Sequence, residues 1–299
     1  MQQQFDERNR DILVNVDGTL RHRDEGMLSP FDSVVQGGDA VWEGLRLYRG
    51  RIFRLEQHLA RLRRSAAALA FAEVPSDADI TEQISATLSA NRMTDDVHVR
   101  LTLTRGVKVT SGMDPRLNQA GPTLIVLAEF KSPVYDPAGI TLVTSSVRRH
   151  RPDSLDPKVH HNNLLTSILA KIEANVAGAD DALMLDDAGF VAETNATHVF
   201  HVKDGVLRTA TTRACPEGIT RETVLQIAAS DGVPAEVGDF SQVQLYTADE
   251  AFVTGTMGGV TPVVAVDGRT IGDGAAGPLT TRITSAYADL TVRDGTPVV

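Results

Sequence analysis

The segment VHVRLTLT at 97–104 alternates strictly between apolar and other residues, and this pattern constrains the fold most strongly. Successive residues of a strand point to opposite faces, so its valines and leucines share one face, opposite His98 and Arg100. Turn signals at 17–18 and 49–50 join further strands into antiparallel hairpins. Between the hairpins, other segments carry leucine and alanine at helical spacing. The chain is therefore predicted to be α+β, with mixed or antiparallel sheets flanked by helices rather than repeated βαβ units.

The chain has 299 residues, which is long for one compact domain and comfortable for two. The segment KSPVYDPAG at 131–139 contains two prolines and a glycine and has little apolar content. Such a composition is typical of an exposed connection between domains. We therefore predict a small N-terminal domain over 1–130, a linker over 131–139 and a larger C-terminal domain over 140–299.

Composition argues against several classes of protein. Hydrophobic residues make up 42% of the chain, so a large core is possible. The only cysteine, Cys215, excludes a disulfide framework and suits a reducing compartment. Neither the start, MQQQFDERNRD, nor any other segment has an apolar run typical of a signal peptide or a membrane span, so we expect a cytoplasmic protein. The net charge of −10 makes nucleic acid a poor partner.

Two segments have the features of anion-binding sites. Gly218 precedes a predicted helix whose first turn begins near Thr220, and a helix N-terminus presents free backbone N–H groups to an anion. In VTGTMGGV, a strand runs into a turn at 255–259 whose successive N–H groups can converge on a phosphate. Taken alone, each segment fits a purely structural role better, as an ordinary helix cap or a tight loop.

Polar residues at strand ends and on strand faces suggest a pocket. Arg54 lies between a strand and a helix, where its guanidinium either clamps a phosphate or is simply solvated. Glu193 ends the strand FVAE, where it either pairs with a protonated ring nitrogen or serves as a turn residue. Two strand faces either line a carboxylate-binding pocket or face water, and they carry Trp42, Gly44 and Arg46 on one strand and His98 and Arg100 on the other.

In their order along the chain and in their amino-acid sequences, these segments resemble the fold-type-IV pyridoxal-phosphate enzymes. This is the family of branched-chain aminotransferases, D-amino-acid aminotransferases and aminodeoxychorismate lyase. The resemblance extends from about residue 30 to residue 290. It implies two domains that enclose pyridoxal 5'-phosphate and a homodimer that completes each site. It is carried by the motifs GGDAVWEGLRLYRGRIFRLEQHLARLRRSA, VRLTLTRG, NNLLTSILAKIEANVAGADDALMLDDAGFVAETNATHVFHVKDG, PEGITRETV and EAFVTGTMGGVTPVVAVDGRTIGDGAAGP.

The resemblance also implies a role for each candidate residue. Glu193 would keep the pyridine nitrogen of the cofactor protonated. The cofactor phosphate would be bound by Arg54, Ile219, Thr220 and Thr256. The positions that line the substrate pocket correspond to Trp42, Arg46, His98, Arg100 and Met257. The implied reaction is transfer of an amino group from a branched-chain or D-amino acid to a 2-oxo acid.

The lysine that forms the Schiff base in this family has two candidate positions here. The five lysines of the chain stand at 108, 131, 158, 171 and 203. Registering the helix LLTSILAKIEA without gaps places His160 at the Schiff-base position, where the resemblance implies that it binds the cofactor, although histidine cannot form the imine. Lys158 stands two residues earlier, with the spacing of lysine, three residues and asparagine found in some branched-chain enzymes, and strand positions i and i+2 share a face about 6–7 Å apart. Because the other lysines fall in a helix, a hairpin, the linker and a loop, Lys158 is the predicted catalytic lysine.

Three hypotheses remain open. The first is transamination with Lys158 as the catalytic amine. The second is a lysine-independent or non-catalytic relative that holds the cofactor or another phosphorylated ligand without a covalent bond, or that uses His160 as its acid–base. The third is a lyase of the aminodeoxychorismate type, which releases pyruvate. His198, where the family often has asparagine, adds to His160 and His161, but adjacent histidines diverge on a strand, so we predict no metal site.

Overall fold

The computed structural model describes residues 4–299, so the first three residues of the predicted N-terminal domain lie outside the described part. The chain divides into two compact units. The C-terminal unit consists of Pro133–Lys158 and Leu164–Leu290. The N-terminal unit consists of the described residues up to Ser132, together with Val159–Asn163 and Thr291–Val299. The predicted C-terminal domain over 140–299 includes these last two segments. In the structure, however, each of them forms backbone pairs with the N-terminal sheet.

The N-terminal unit is built on an antiparallel sheet with helices packed against it. Its strands are β1 (Leu13–Val16), β2 (Thr19–His22), β3 (Ala40–Tyr48), β4 (Arg51–Phe53), β5 (Val97–Thr104) and β6 (Thr123–Phe130), in the order β4-β3-β5-β6-β1-β2. Its helices are α1 (Ser33–Gly37), α2 (Leu55–Ala68) and α3 (Asp77–Ala90). The apolar residues of β5, such as Leu101 and Leu103, are fully buried in one core with the apolar faces of α2 and α3. The predicted alternation of β5 is therefore confirmed.

Two predicted turns are confirmed by their backbone geometry. Asp17 and Gly18 have φ of 51° and 79°, and Arg49 and Gly50 have φ of 48° and 77°. Two successive residues with positive φ form the tight turn whose twist matches that of a hairpin. These turns connect β1 to β2 and β3 to β4.

The C-terminal unit is built on a mixed sheet. Its strands are β7 (Ile140–Thr144), β8 (Asp181–Leu185), β9 (Val191–Thr194), β10 (His198–Lys203), β11 (Val206–Thr209), β12 (Ala235–Val237), β13 (Glu250–Gly255), β14 (Gly259–Val266) and β15 (Arg269–Thr270). Its helices are α4 (Pro152–Leu155), α5 (Leu165–Ala177), α6 (Ile219–Ser230), α7 (Gln242–Tyr246) and all but the last three residues of α8 (Pro278–Arg293). The order is β12-β11-β10-β13-β14-β7-β8-β9, with β15 paired to β14. Because β7 pairs in parallel with β8 and β14, and β11 with β12, while the other pairs are antiparallel, the sheet is mixed as predicted.

The last strand of the chain, β16 (Gly295–Pro297), belongs to the N-terminal sheet. It pairs antiparallel with β4 and brings that sheet to seven strands within residues 4–299. Among residues 4–299, no helix is both long enough and apolar enough to cross a membrane.

Candidate functional site

Helix α6 begins at the first of the two predicted anion-binding segments. Gly218 is its N-cap residue, and the cap has no side-chain hydrogen bond. The first N–H groups of a helix have no carbonyl partner within it, and they lie at the positive end of the helix dipole. Thr220, in the first turn, is buried. The start of α6 therefore offers backbone donors and a threonine hydroxyl to an anion such as phosphate.

The second predicted segment is the turn between β13 and β14, and its glycines are required by neighbouring side chains. A Cβ at Gly255 would lie 3.0 Å from Cγ2 of Thr197, and one at Gly258 would lie 2.6 Å from the ring of Tyr135. Contacts this short leave little room for a side chain, so the backbone of the turn packs directly on these residues. Thr256 lies between the two glycines. A closely packed turn of this kind is suited to holding an anion with its N–H groups.

His198 connects the two segments. It opens β10, where it pairs with Thr254 of β13, the residue directly before the glycine turn. Its ring Nε2 lies 2.2 Å from the position that a Cβ of Gly218 would take. The start of α6 and the end of β13 are thus both neighbours of one residue. The Thr254 hydroxyl is buried and has no hydrogen-bond partner among the described residues, which fits a site for an oxygen-rich ligand.

Gly218→Ala is expected to lower the free energy of unfolding by about 1–3 kcal/mol, the usual cost of overpacking. The φ of Gly218 is −71°, so alanine is free of backbone strain there and the main conflict is with the ring of His198. Urea unfolding followed by circular dichroism measures the change. Gly238→Ala is the matched control, because nothing lies within 4 Å of its Cβ position. In a His198→Ala background Gly218→Ala should cost much less, since only the Cβ of Arg221, at 3.2 Å, stays close to the added methyl, and an equal cost in both backgrounds would contradict the contact.

Glu193, in β9, is buried and forms an ion pair of 2.7 Å with Arg149. Arg149 also donates to the hydroxyl of Ser167 at 3.2 Å and to the carbonyl of Ala214 at 3.4 Å, and these bonds fix its guanidinium. Burial raises the pKa of Glu193 to about 7, although the charge of Arg149 opposes the rise. Glu193 therefore titrates near neutral pH, and a nearby cation decides whether it carries a charge.

Arg149 is a functional candidate that no local sequence pattern marks. It stands in the run VRRHR, where three arginines and a histidine give no pattern that distinguishes one of them. Arg149 and Glu193 form an ion pair although they lie more than 40 residues apart in the chain. The spacing of residues around Arg149 therefore does not predict this pair. Only the fold shows that this largely buried arginine faces a buried acid.

The turn after Glu193 leads back to the glycine turn. The hydroxyls of Thr194 and Thr197 lie 2.7 Å apart, and the Thr197 N–H donates to the Thr194 hydroxyl at 2.9 Å. Thr197 also contacts Gly255, as described above. Three predicted features of the C-terminal unit, namely the carboxylate, the glycine turn and the start of α6, are therefore connected through residues 194–198.

Lys158 ends the first segment of the C-terminal unit, and its side chain is exposed. Its backbone N–H donates to Oδ1 of Asp156 at 3.0 Å, and its ammonium lies 3.6 Å from the same oxygen. An ion pair between exposed groups contributes little, so it does not hold the amine in place. The catalytic role of Lys158 stays a prediction.

The polar face expected on β3 and β5 is present in the N-terminal sheet. Arg46 pairs with His98, and Arg100 follows two residues later on β5. Arg46 is buried, with its guanidinium 3.6 Å from Asp96. Burial, together with neighbouring positive charges that act in the same direction, lowers the pKa of His98 to about 3, so His98 is neutral at pH 7. A neutral imidazole beside two arginines makes this face suited to a carboxylate.

Trp42 lies on the same strand and is held by three contacts. The guanidinium of Arg100 lies 3.4 Å from the centroid of its ring, and the ring of His160 stacks on it at 4.3 Å. The indole N–H donates to the carbonyl of His161 at 3.0 Å. His160, which the ungapped register places at the Schiff-base position, therefore packs on Trp42 within the N-terminal unit. A role for His160 in cofactor binding stays a prediction.

Arg54 is the N-cap residue of α2 and has φ of 54°, a left-handed conformation that is uncommon for a residue other than glycine. Such strain persists where the surrounding structure requires it, and it is found often at binding sites. The guanidinium of Arg54 lies 5.2 Å from the ring centroid of Phe53. The phosphate-binding role of Arg54 stays a prediction.

Comparison with known proteins identifies the family. A sequence model of the amino-transferase class IV family matches residues 40–266. The chain belongs to this family. Over 291 residues it is 53% identical to branched-chain-amino-acid aminotransferase-like protein 2 of Arabidopsis thaliana, with 97% of this chain and 52% of that protein covered. This class IV chain thus spans about half the length of the Arabidopsis relative.

Other class IV relatives are matched over almost their whole length. The branched-chain-amino-acid aminotransferase of Pseudomonas aeruginosa is 34% identical over 291 residues, which cover 94% of each protein. Among solved structures, a T.th. branched-chain amino acid aminotransferase complexed with N-(5'-phosphopyridoxyl)-L-glutamate matches with a TM-score of 0.87. The two chains are 34% identical and 94% of each is covered. The predicted fold type is therefore confirmed.

Proposed function

We propose that this chain binds pyridoxal 5'-phosphate and transfers an amino group from a branched-chain or D-amino acid to a 2-oxo acid. The observation that carries the proposal is the ion pair between the buried Glu193 and the largely buried Arg149, in the same unit as two connected anion-binding segments. Membership of the class IV family supports it. The solved T.th. relative, which carries a phosphopyridoxyl group, supports the cofactor.

Residues of the C-terminal unit suit the two ends of this cofactor. The N–H groups of Ile219 and Thr220 and the hydroxyl of Thr256 suit the phosphate. The carboxylate of Glu193 suits the pyridine nitrogen. When bound, the cofactor's protonated ring withdraws electrons and so acidifies the Cα–H bond of the substrate. Arg54 is a further candidate for the phosphate, as the family resemblance implies.

Glu193 and Arg149 act together on the proton of the ring nitrogen. With a pKa of about 7, raised by burial, Glu193 would be about half protonated at neutral pH. Arg149, at 2.7 Å, opposes protonation of this carboxyl, and a cationic ring nitrogen adds a second positive partner. In that state the ionised Glu193 would accept a hydrogen bond from the ring nitrogen. The function of Glu193 would be to keep a proton on that nitrogen, and Arg149 and the cationic ring together would keep Glu193 ionised.

Lys158 supplies the primary amine in this proposal. Such an amine holds the cofactor between turnovers and then removes and returns a proton at the substrate Cα. Lys158 is exposed and only weakly paired with Asp156, so its amine can change partners. If Lys158 lacks this role, the lysine-independent alternative applies.

The substrate carboxylate would be received by Arg46 and Arg100. Burial lowers the pKa of Arg100 to about 10, which still leaves the guanidinium charged at neutral pH. His98, neutral at this pH, offers a hydrogen bond without adding charge. Met257, in the glycine turn, offers a flexible apolar surface that suits an aliphatic substrate side chain.

Amino-transfer assays test the proposal. The protein loaded with pyridoxal 5'-phosphate is incubated with 2-oxoglutarate and, in turn, with L-leucine, L-valine or D-alanine, and glutamate is measured. The proposal predicts glutamate formation that depends on the added amino acid. Release of pyruvate from an amino-chorismate without any 2-oxo acid would support the lyase instead. Tight cofactor binding without turnover would support the non-catalytic alternative.

The proposal includes a homodimer, for which α5 provides the support. The buried face of this helix is made of alanines, Ala170 and Ala174, which pack with Ala182 and Met184. Its exposed face carries large apolar residues at helical spacing, namely Leu165, Ile168, Leu169, Ile172 and Val176, each more than half exposed. An exposed apolar stripe on a helix is typical of a protein–protein interface. Because the family resemblance implies two copies of one chain, a second copy is the proposed partner.

Ile172→Glu is expected to weaken self-association by roughly 100-fold or more, because burying an unpaired charge costs several kcal/mol. Ile172 lies in the middle of the stripe and is 51% exposed. Sedimentation equilibrium over a range of concentrations measures the dissociation constant. Ala177→Glu, an exposed position on the same helix but outside the stripe, should leave the dimer intact. A monomeric wild type, or an Ile172→Glu variant that associates as tightly as the wild type, would rule out this interface.

We also propose a cytoplasmic location. The only cysteine is buried, and burial raises the pKa of the Cys215 thiol to about 12, so it is poorly reactive. A chain with a single cysteine cannot form an internal disulfide, so an oxidising compartment would not stabilise it.

A further inference from the structure

The segment that directly follows Lys158 forms an additional short strand beside β3. His161 forms an antiparallel bridge with Val41. The Trp42 N–H donates to the carbonyl of His160 at 2.9 Å, and the Asn162 N–H donates to the carbonyl of Ala40 at 2.9 Å. This pairing is the reason that residues 159–163 belong to the N-terminal unit although the residues on either side do not.

Side chains on three elements add to this backbone pairing. The His160 N–H donates to the hydroxyl of Ser65 on α2 at 3.0 Å. Arg100 on β5 donates to Oδ1 of Asn162 at 2.8 Å, and the Asn163 amide donates to the carbonyl of Gly38 at 3.2 Å. The indole N–H of Trp42 adds the bond to His161 described above. A segment held at every residue from 160 to 163 has little conformational freedom.

Within this segment, the imidazole of His160 is fixed by a hydrogen bond and by a ring contact. Its Nδ1 lies 2.5 Å from the carbonyl oxygen of Trp42, and because a carbonyl only accepts, Nδ1 carries the proton. The ring also stacks on the indole of Trp42 with an interplanar angle of 25°. Burial lowers the pKa of His160, and the charge of Arg61 lowers it further, so the ring is neutral at pH 7.

Glu43 anchors this histidine from the core side of β3. It is fully buried, and Arg61 donates to both of its carboxylate oxygens, at 2.8 and 2.7 Å. Nδ1 of His58 lies 2.7 Å from Oε2, and Nδ1 of His160 lies 3.5 Å from Oε1. Burial alone would raise the pKa of Glu43, but the charge of Arg61 more than offsets it, so Glu43 stays ionised. The imidazole of His160 therefore packs against a fixed buried charge.

We propose that His160 is a positioning residue for Lys158, which it fixes through the backbone by locking residues 159–163 onto β3. Lys158 stands two residues before His160, and two residues of chain span at most about 7 Å, so fixing His160 confines the Cα of Lys158 to a small volume. When its Cα is confined, the lysine amine samples fewer positions, so less conformational entropy is lost when it binds its partner. This inference rests on the proposed function only for the role of Lys158, whereas the locking of the segment is independent of it.

Two substitutions separate the hydrogen bond of His160 from its ring. His160→Asn keeps an N–H donor at the position of Nδ1, and His160→Phe keeps a ring to stack on Trp42 but removes the donor. His22→Phe, at a partly exposed histidine of β2, is the matched control. Because the His160 ring stacks on Trp42, tryptophan emission changes with the substitution itself, so far-UV circular dichroism and a cooperative urea transition show that each variant keeps the native fold.

Hydrogen exchange in the cofactor-free protein tests the lock itself. The Trp42 and Asn162 amides should exchange roughly fivefold to tenfold faster in His160→Phe than in the wild type, which corresponds to the loss of one net hydrogen bond. His160→Asn and His22→Phe should exchange at the wild-type rate. Equal exchange in His160→Phe and the wild type would overturn the inference.

Cofactor binding then tests the effect on Lys158. The dissociation constant of pyridoxal 5'-phosphate should rise roughly tenfold in His160→Phe, and His160→Asn should restore it to within about twofold of the wild type. An unchanged constant in a His160→Phe protein whose segment exchanges faster would refute the positioning role. A wild type that binds no cofactor would refute the proposed function, and the exchange rates would still decide whether His160 locks the segment.

Discussion

Lys158→Ala is expected to lower kcat for amino transfer by about 10²–10⁴-fold, the range of a lost acid–base group. The physical reason is that Lys158 supplies the primary amine, and three of the other four lysines are held by closer partners than Lys158, whose ammonium lies 3.6 Å from Asp156. Lys108 donates to the carbonyl of Gly112 at 2.6 Å, and Lys203 donates to Asp249 at 2.8 Å. Lys171 is bonded to the carbonyl of Asp180 and lies 3.4 Å from Asp181. Steady-state assays with a branched-chain amino acid and 2-oxoglutarate measure the loss.

The control for this experiment is Lys203→Ala, at an exposed hairpin lysine of the same unit. It removes one lysine charge and should keep the wild-type kcat. If Lys158→Ala also keeps the wild-type kcat, the lysine-independent hypothesis replaces the one proposed here. A loss of kcat with unchanged affinity for the cofactor phosphate would show that Lys158 acts in the chemical step and not only in binding.

Glu193→Gln is expected to lower kcat by roughly 10- to 100-fold, because it replaces a charge-assisted hydrogen bond to the ring nitrogen with a neutral one. Glutamine has the shape of glutamate but no charge to keep a proton on the ring. The change also leaves the guanidinium of Arg149 without its carboxylate, which costs about 3–5 kcal/mol of stability for a buried pair. Assays below the unfolding temperature of the variant separate the two effects.

Glu250→Gln is the matched control for Glu193→Gln. Glu250 is a buried acid of the same unit that accepts bonds from the Leu279 and Thr280 N–H groups at 3.1 and 2.7 Å, at the start of α8. Its loss should lower the unfolding temperature and leave kcat of the folded protein unchanged. Equal effects of the two substitutions on kcat would show that Glu193 has only a structural role.

Elements defined by local patterns could be predicted from the sequence. The alternation of 97–104 predicts β5 and its buried face, and the turns at 17–18 and 49–50 have the predicted geometry. The start of α6 and the glycine turn were also recognisable, since each is a glycine beside a regular element. These features depend on neighbours in the sequence, which is the information that a pattern contains.

Features that depend on distant partners could not be predicted in this way. The segment 159–163 pairs with β3, about 120 residues earlier, so nothing in its own composition places it in the N-terminal unit. The strand β16 is likewise paired with β4. Arg149 is distinguished from its arginine neighbours only by the buried carboxylate of Glu193. In each case the partner is distant in the sequence and comes close only in the folded chain, so the local sequence does not predict it.

Borohydride reduction of the loaded protein, followed by peptide mapping, tests the central claim most directly. Reduction makes a bond between a lysine amine and pyridoxal 5'-phosphate permanent, so the labelled peptide identifies the lysine that holds the cofactor. We predict a phosphopyridoxyl label on the peptide that contains Lys158, and none after Lys158→Ala. A cofactor that stays bound but leaves Lys158 unlabelled, or that labels another lysine, would contradict the account.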